Sequence, residues 1–308
     1  MKADTFTLRA DDGAEIFVHR WLPDGTPRGV VRISHGMAEH SARYARTATA
    51  LTDAGLAVYA HDHRGHGQTA QRGGALGHFS DEDGWLRVIA DVRAVGARAR
   101  EEYPDVPVIL LGHSMGSFMV QWIMLRHADD ADGYVLSGSN VGGGALVSAG
   151  KQAAKLERLR VGARRPSALL TFLSFGSFNK GFEGHTSFDW LSRDPVEVDK
   201  YVADSLCGFD VSTQLWIDLL GALEELGRGD WSRVGADKPV YVFAGDQDPV
   251  GDRTRGLEKL LRAMEAGGMS RVTSKFYVGG RHEMVNETNR DEVFADLVAW
   301  IERNLFAA

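Results

Sequence analysis

At 308 residues the chain has room for about two domains, or for one large α/β domain carrying an insertion. Its 44% hydrophobic and 25% charged content is that of an ordinary globular protein with ample material for a core. A net charge of −7 lacks the basic excess of a dedicated nucleic-acid binder, and the single cysteine, Cys207, excludes a disulfide framework and any structural Cys-zinc site. No apolar run follows Lys2, so no signal peptide is expected. No apolar stretch approaches the ~20 residues of a membrane-spanning helix, so the chain reads as cytoplasmic.

The first segments read as β: Thr5–Arg9 and Glu15–Trp21 flank the turn signal Asp11-Asp12-Gly13. Gly29–Ser34 reads as a strand, 43–54 as a helix stopped by Gly55, and Leu56–Ala60 as another strand. Ser80 is placed to cap a helix running to Glu102, with Trp85, Ile89, Val92 and Val95 on one face, ended by Tyr103-Pro104. Val106–Leu111 is apolar on both faces, as a central parallel strand must be. Helix 114–126 and strand Tyr134–Ser137 follow. The alternation resumes late with strand Val240–Ala244, helix 254–266, strand Val272–Val278 and a helix around 291–305.

This order predicts an α/β fold, a mostly parallel sheet with helices on both faces. Between Val141 and Gly235 the periodicity turns helical, with a capped start at Asp194-Pro195 and an amphipathic stretch over 211–226. Residues 1–140 and 236–308 are therefore expected to form the core, and 141–235 an inserted helical cap, with Gly142–Gly144 as the hinge into it.

The sharpest local signal is Gly112-His113-Ser114-Met115-Gly116. Composition alone gives roughly 0.2 such G-x-S-x-G pentapeptides in a chain of this length, so position decides its meaning. It follows a buried strand and precedes a helix, where a sharp turn crowds the backbone. Flanking glycines relieve that crowding and leave the serine hydroxyl exposed.

A serine hydroxyl needs a base and an orienting carboxylate to act as a nucleophile. With the expected chain order of Ser, acid, His, the loop Gly245-Asp246-Gln247-Asp248-Pro249 offers Asp248, with Asp246 as its competitor. Among the eleven histidines only His282 lies downstream of both Ser114 and Asp248. Two backbone donors complete the set: the N–H of Met115, and that of Met37 in His35-Gly36-Met37 after the strand Gly29–Ser34.

The run His35-Gly36-Met37-Ala38-Glu39-His40 with Tyr44 resembles the oxyanion-loop signature of monoacylglycerol lipases and lysophospholipase-like α/β-hydrolases. Asp62-His63-Arg64-Gly65-His66-Gly67-Gln68-Thr69 is similar to the D-x-R-G-H-G-x-S/T loop of the same group. Gly112–Gly116 with Phe118, the Gly245–Asp248 loop and Gly280–His282 match as well, so the resemblance spans nearly the whole chain and is weakest in the cap. It implies an α/β-hydrolase fold, no cofactor and no metal. The implied activity is a serine carboxylester hydrolase acting on a lipid-like monoester, with Ser114, Asp248 and His282 catalytic and the Met37 and Met115 amides as oxyanion hole. The alternatives are a serine aminopeptidase, in which Glu183 or Asp189 of the cap would bind the substrate amine, and a non-catalytic binding protein.

His61-x-His63-x-x-His66 has the spacing of a dinuclear metal loop, but Gly65 stands where that class carries an aspartate. His113 and Cys207 read as packing residues. The segment Lys151–Arg165 carries six Lys/Arg against Glu157 alone and precedes the apolar run Leu169–Phe175. It reads either as a solvated helix whose apolar neighbour packs on the main domain, or as a peripheral membrane contact. A small lipid-like ester is the expected partner and nucleic acid is not.

Overall fold

A computed structural model describes residues 1–182 and 184–306 and places eight strands in one sheet. Strands β1 (Lys2–Arg9) and β2 (Glu15–Leu22) form the antiparallel hairpin, paired from Lys2↔Leu22 to Arg9↔Glu15. Then come β3 (Gly29–Ser34), α1 (Ala45–Asp53), β4 (Leu56–His61), α2 (Gly67–Gln71), α3 (Gly84–Glu102), β5 (Val108–His113), α4 (Met115–Arg126) and β6 (Gly133–Ser137). Helices α5 (Ala145–Val161), α6 (Ala168–Phe175), α7 (Pro195–Ala203) and α8 (Thr213–Leu226) follow. The chain then returns through β7 (Val240–Gly245), α9 (Arg255–Ala266), β8 (Val272–Tyr277) and α10 (Arg290–Ile301).

The strand order is β1-β2-β4-β3-β5-β6-β7-β8, parallel from β4 onward. Every residue of β3 to β7 is buried, as a sheet covered on both faces requires. Tyr44, Leu51, Leu297 and Trp300, on and beside α1 and α10, pack one face. Trp85, Ile89, Met119, Ile123, Leu257 and Leu260 of α3, α4 and α9 pack the other. The chain leaves β3 for β4 on one side and reaches β5 on the other, so the strand order reverses between β3 and β5. A crevice opens at the carboxyl ends of two such strands.

Several boundaries move from their sequence-based positions. Ser80 caps nothing: α3 begins at Gly84, entered through Asp83 in the left-handed region at φ 53°, while Asp81 is drawn to Arg164. Strand β5 starts at Val108, after Pro107, which has no N–H for the ladder. The helix expected from Arg43 begins as a 3₁₀ turn over Ser41–Tyr44. The stretch 211–226 becomes helical only at Thr213, where the Ser212 hydroxyl accepts the Leu215 N–H at 3.1 Å. Asp194 caps α7 as its sequence predicts, accepting the Val196 N–H.

Helices α5 to α8 add no strand to the sheet. Helix α8 contributes Leu215, Trp216 and Leu219 to the same apolar cluster as α3 and α4, whereas Trp190, Leu191, Tyr201 and Cys207 form a small cluster of their own. Gly142, Gly143 and Gly144 all have φ between 72° and 92°, and Gly143 and Gly227 approach so closely that a Cβ on either would collide with the other.

Candidate active site

Ser114 sits between β5 and α4 with φ 52° and ψ −121°, a backbone conformation that costs an ordinary residue of order 1–3 kcal/mol. The glycines around it make the turn possible. A Cβ on Gly116 would lie 2.0 Å from the Ser34 carbonyl oxygen, and one on Gly112 would lie 2.4 Å from that of Gly116. The Ser114 N–H donates to Ser137 O at 2.9 Å, which pins the turn to β6. Its side chain is half-buried and opens into a cavity of about 1250 Å³.

His282, on the loop after β8, lines the same cavity. Its Nδ1 lies 2.9 and 3.0 Å from the two carboxylate oxygens of Asp248, which is fully buried at the end of β7. Burial opposes the imidazolium, but the charge and hydrogen bond of Asp248 outweigh it, so the pKa of His282 is raised above 6.5. Trp190 and His113 pack on the ring at centroid distances of 5.0 and 4.6 Å. His113 is held neutral, with its pKa down to about 4, by burial and by its neighbour His282. The competing carboxylate is engaged elsewhere, since Asp246 Oδ1 accepts the Gly279 N–H at 2.9 Å.

Met37 and Met115 both line the cavity. Met115 is the first residue of α4, so its N–H has no acceptor within the helix. Among the described residues neither its N–H nor that of Met37 has a hydrogen-bond partner. The loop carrying Met37 is tightly held. Glu39 Oε1 accepts the Gly36 N–H at 2.6 Å and the Tyr44 hydroxyl at 2.8 Å. Arg43 donates to Glu39 Oε2 at 2.6 Å and to both oxygens of Glu283 at 2.6 Å. From the far side, Ala38 O accepts the Gly208 N–H and the Tyr201 hydroxyl, each at 2.9 Å.

The structure thus brings Ser114, His282, Met37 and Met115 to one cavity, with Asp248 behind His282. The Glu39–Arg43–Glu283 network, which ties the Met37 loop to the residue after His282, was missed from sequence. The Glu39/Arg43 half is an i,i+4 pair readable on a helix start, but Glu283 is 240 residues away. His113 packs as its place in the sequence suggests, and the ring it packs against is that of His282.

The cavity wall is mostly apolar, including Leu170, Phe175, Trp216, Leu219 and Leu223. The carboxylate proposed from sequence to bind a substrate amine finds no support at Asp189. That side chain is buried and accepts the His185 and Thr186 N–H groups and the Thr186 hydroxyl. Glu183 lies outside the described residues. His61, His63 and His66 are buried rings: His63 Nε2 is 3.2 Å from Ser34 Oγ, His66 Nδ1 is 2.9 Å from Arg64 O, and the His61 ring packs edge-on against that of His63. They are not among the groups whose ligand atoms cluster closely enough to hold one ion.

The chain also matches known proteins in sequence and fold. The family described as serine aminopeptidase, S33, matches residues 25–289. A monoacylglycerol lipase of Mycolicibacterium smegmatis is 32% identical over 298 residues, covering 95% of each chain. A human monoglyceride lipase is 30% identical over 300 residues, 96% of this chain and 90% of the human one. The solved structure of a thermostable carboxyl esterase from Bacillus coagulans, in complex with glycerol, superposes with a TM-score of 0.89 at 27% identity, covering 99% of each chain. That of a Saccharomyces cerevisiae monoglyceride lipase does so at 0.80 and 20% identity, covering 100% of this chain and 97% of the yeast chain. Fold and sequence agree, and the chain belongs to the serine aminopeptidase S33 family of α/β-hydrolases.

Proposed function

We propose that the protein is a serine carboxylester hydrolase that cleaves monoacylglycerol-type esters through an acyl-enzyme. Ser114 Oγ attacks the acyl carbonyl and its proton passes to His282 Nε2, while Asp248 holds Nδ1–H and stabilises the imidazolium. The Met37 and Met115 amides receive the oxyanion. His282 then returns the proton to the leaving glycerol oxygen. In the second half it takes a proton from water, which attacks the acyl carbon and regenerates Ser114. The observation that carries this reading is the strained serine opening into the same apolar cavity as a carboxylate-clamped histidine. The relatives named as monoacylglycerol lipases support the substrate class.

Residues 141–235 act in this reading as the cap that shapes the acyl pocket. Leu146, Phe172 and Leu173 both line the cavity and face solvent, at 87%, 69% and 62% exposure, so the apolar wall continues to the outer surface. Leu156, Leu159 and Leu169 are exposed as well, and Lys155, Arg158 and Arg165 neighbour them along the chain. The apolar run of α6 does not pack onto the main domain as a whole, since Leu170 alone among its leucines is buried. An apolar rim with flanking cations suits peripheral contact with a lipid surface, and no described helix is long and apolar enough to cross a membrane.

Ser114→Ala is expected to retain the fold but lose ester hydrolysis and labelling by a fluorophosphonate. More than a few per cent residual activity would reject Ser114 as nucleophile. Faster cleavage of aminoacyl anilides than of monoacylglycerols by the wild type would reject the substrate class.

A further inference from the structure

We propose that His40, Asp204 and Cys207 form a binding site for a divalent cation of the zinc type, made of one imidazole, one carboxylate and one thiolate. Each offers one ligand atom, and these atoms all lie within 4.8 Å of one another. Ligands at about 2.0–2.3 Å from a tetrahedral Zn²⁺ stand roughly 3.3–3.7 Å apart, so small side-chain rotations close the site. Two of the donors are already in contact, with His40 Nε2 2.9 Å from Asp204 Oδ2. The ion takes the place of the hydrogen between them, and that imidazole hydrogen moves to Nδ1 of His40.

The local backbone presents the donors together. Asp204 Oδ1 accepts the Leu206 N–H and Asp204 O accepts the Cys207 N–H, each at 2.9 Å. This turn sets both side chains on the flank that faces His40. The surrounding charge favours a dication: Glu39, Asp204 and Glu283 act on Cys207 against the single guanidinium of Arg43. A thiol coordinates a metal as its thiolate, so Cys207 gives up its proton when the ion binds. Binding then balances as one proton lost from Cys207 to solvent, with His40 coordinating through Nε2, Asp204 through a carboxylate oxygen and water in the fourth position. A mixed N, O, S set suits zinc over magnesium or calcium.

The site lies outside the reacting groups but joins the segment that carries Met37 to the segment after α7. Ala38 O already accepts hydrogen bonds from Tyr201 and Gly208 there, and the ion adds a stronger bridge over the same gap. Two of the donors are 164 residues apart, which is why counting cysteines argued against zinc and chain spacing gave no hint of this set.

The test uses the full chain, stripped with chelator and desalted, and titrated with Co²⁺ as the spectroscopic probe. Cys207 is the sole cysteine, so a thiolate-to-Co²⁺ charge-transfer band in the near-ultraviolet has a single source. A saturable one-to-one band, bleached by Zn²⁺, is expected. Cys207→Ser should abolish it. His40→Gln and Asp204→Asn, which keep the thiol, should each weaken Co²⁺ about tenfold or more, with circular dichroism confirming the fold. No band in the wild type would overturn the proposal. A band of unchanged affinity in both His40→Gln and Asp204→Asn would do so too, since the thiol would then bind metal alone. Neither readout depends on ester hydrolysis.

Discussion

Asp248 offers both carboxylate oxygens to His282, whereas Asp246 holds a backbone N–H of Gly279. An asparagine at 246 still has an oxygen to accept that bond, so Asp246→Asn is expected to change kcat/KM less than about tenfold. At 248 the amide would favour the wrong tautomer of the histidine, and losses of about 10⁴ in kcat follow for a triad of this kind. The same pair sets the pH dependence. In the proposed mechanism His282 must be neutral to act as base, and its pKa is raised, so kcat/KM should fall as pH drops through a value above 6.5. In the residual activity of Asp248→Asn that limb should move to lower pH. Arg43 is the other residue whose loss is large. Arg43→Met leaves Glu39 and Glu283 buried without their cation, and stability should drop by about 3–5 kcal/mol in denaturant titrations.

Helices α5 and α6 carry the surface features least explained by packing. Leu159, Phe172 and Leu173 are more than half exposed, and Leu146 and Phe172 belong to the cavity wall as well. On α5 and its extension Arg160 pairs with Glu157, and Arg164 with Asp81. Charge reversal for a membrane test therefore belongs at Lys155, Arg158 and Arg165, because changing Arg164 would also break its tie to Asp81 in the segment before α3. At ~1 kcal/mol per basic residue, the triple change to Glu should reduce partition onto anionic vesicles by roughly 10²-fold at low salt, and less at high salt. Hydrolysis of a soluble short ester should stay within twofold of wild type. Equal losses on both substrates would mean that the patch holds the cap together.

At the scale of the molecule the histidines are concentrated inside. His35, His61, His63, His66 and His113 are all buried. Burial pushes His61 and His66 down to about 3, and His61 Nε2, His63 Nδ1 and His66 Nε2 lack partners among the described residues. These groups stay neutral in the fold but take up protons near 6.5 once unfolded. Their contribution is therefore intact above 6.5 and is lost progressively as pH falls toward about 3. Each pKa unit corresponds to about 1.4 kcal/mol, against a net stability of roughly 5–15 kcal/mol. The protein should unfold cooperatively in that window, measured by far-ultraviolet circular dichroism. His61→Asn, which cannot take up a proton there, should move the acid midpoint downward relative to its stability at neutral pH.

The order of strands and helices was legible because two-sided burial writes itself as unbroken apolar runs such as Val240–Ala244, and because turns need glycine where side chains collide. The same local rules made Ser114, Asp248 and His282 conspicuous, each on a loop after a strand. Helix starts were less legible. Ser80 is a good cap by composition, yet α3 begins at Gly84 behind Asp83, whose side chain makes no cap bond. What only the tertiary structure decided is how distant segments share charge and space. Glu283 meets Arg43 across 240 residues, His40 meets Asp204 across 164, and α5 and α6 leave all their leucines but Leu170 outside while lining the cavity. Periodicity records whether a residue faces inward on its own element. It carries no information about which other element arrives opposite, because that contact is fixed by packing of the whole chain.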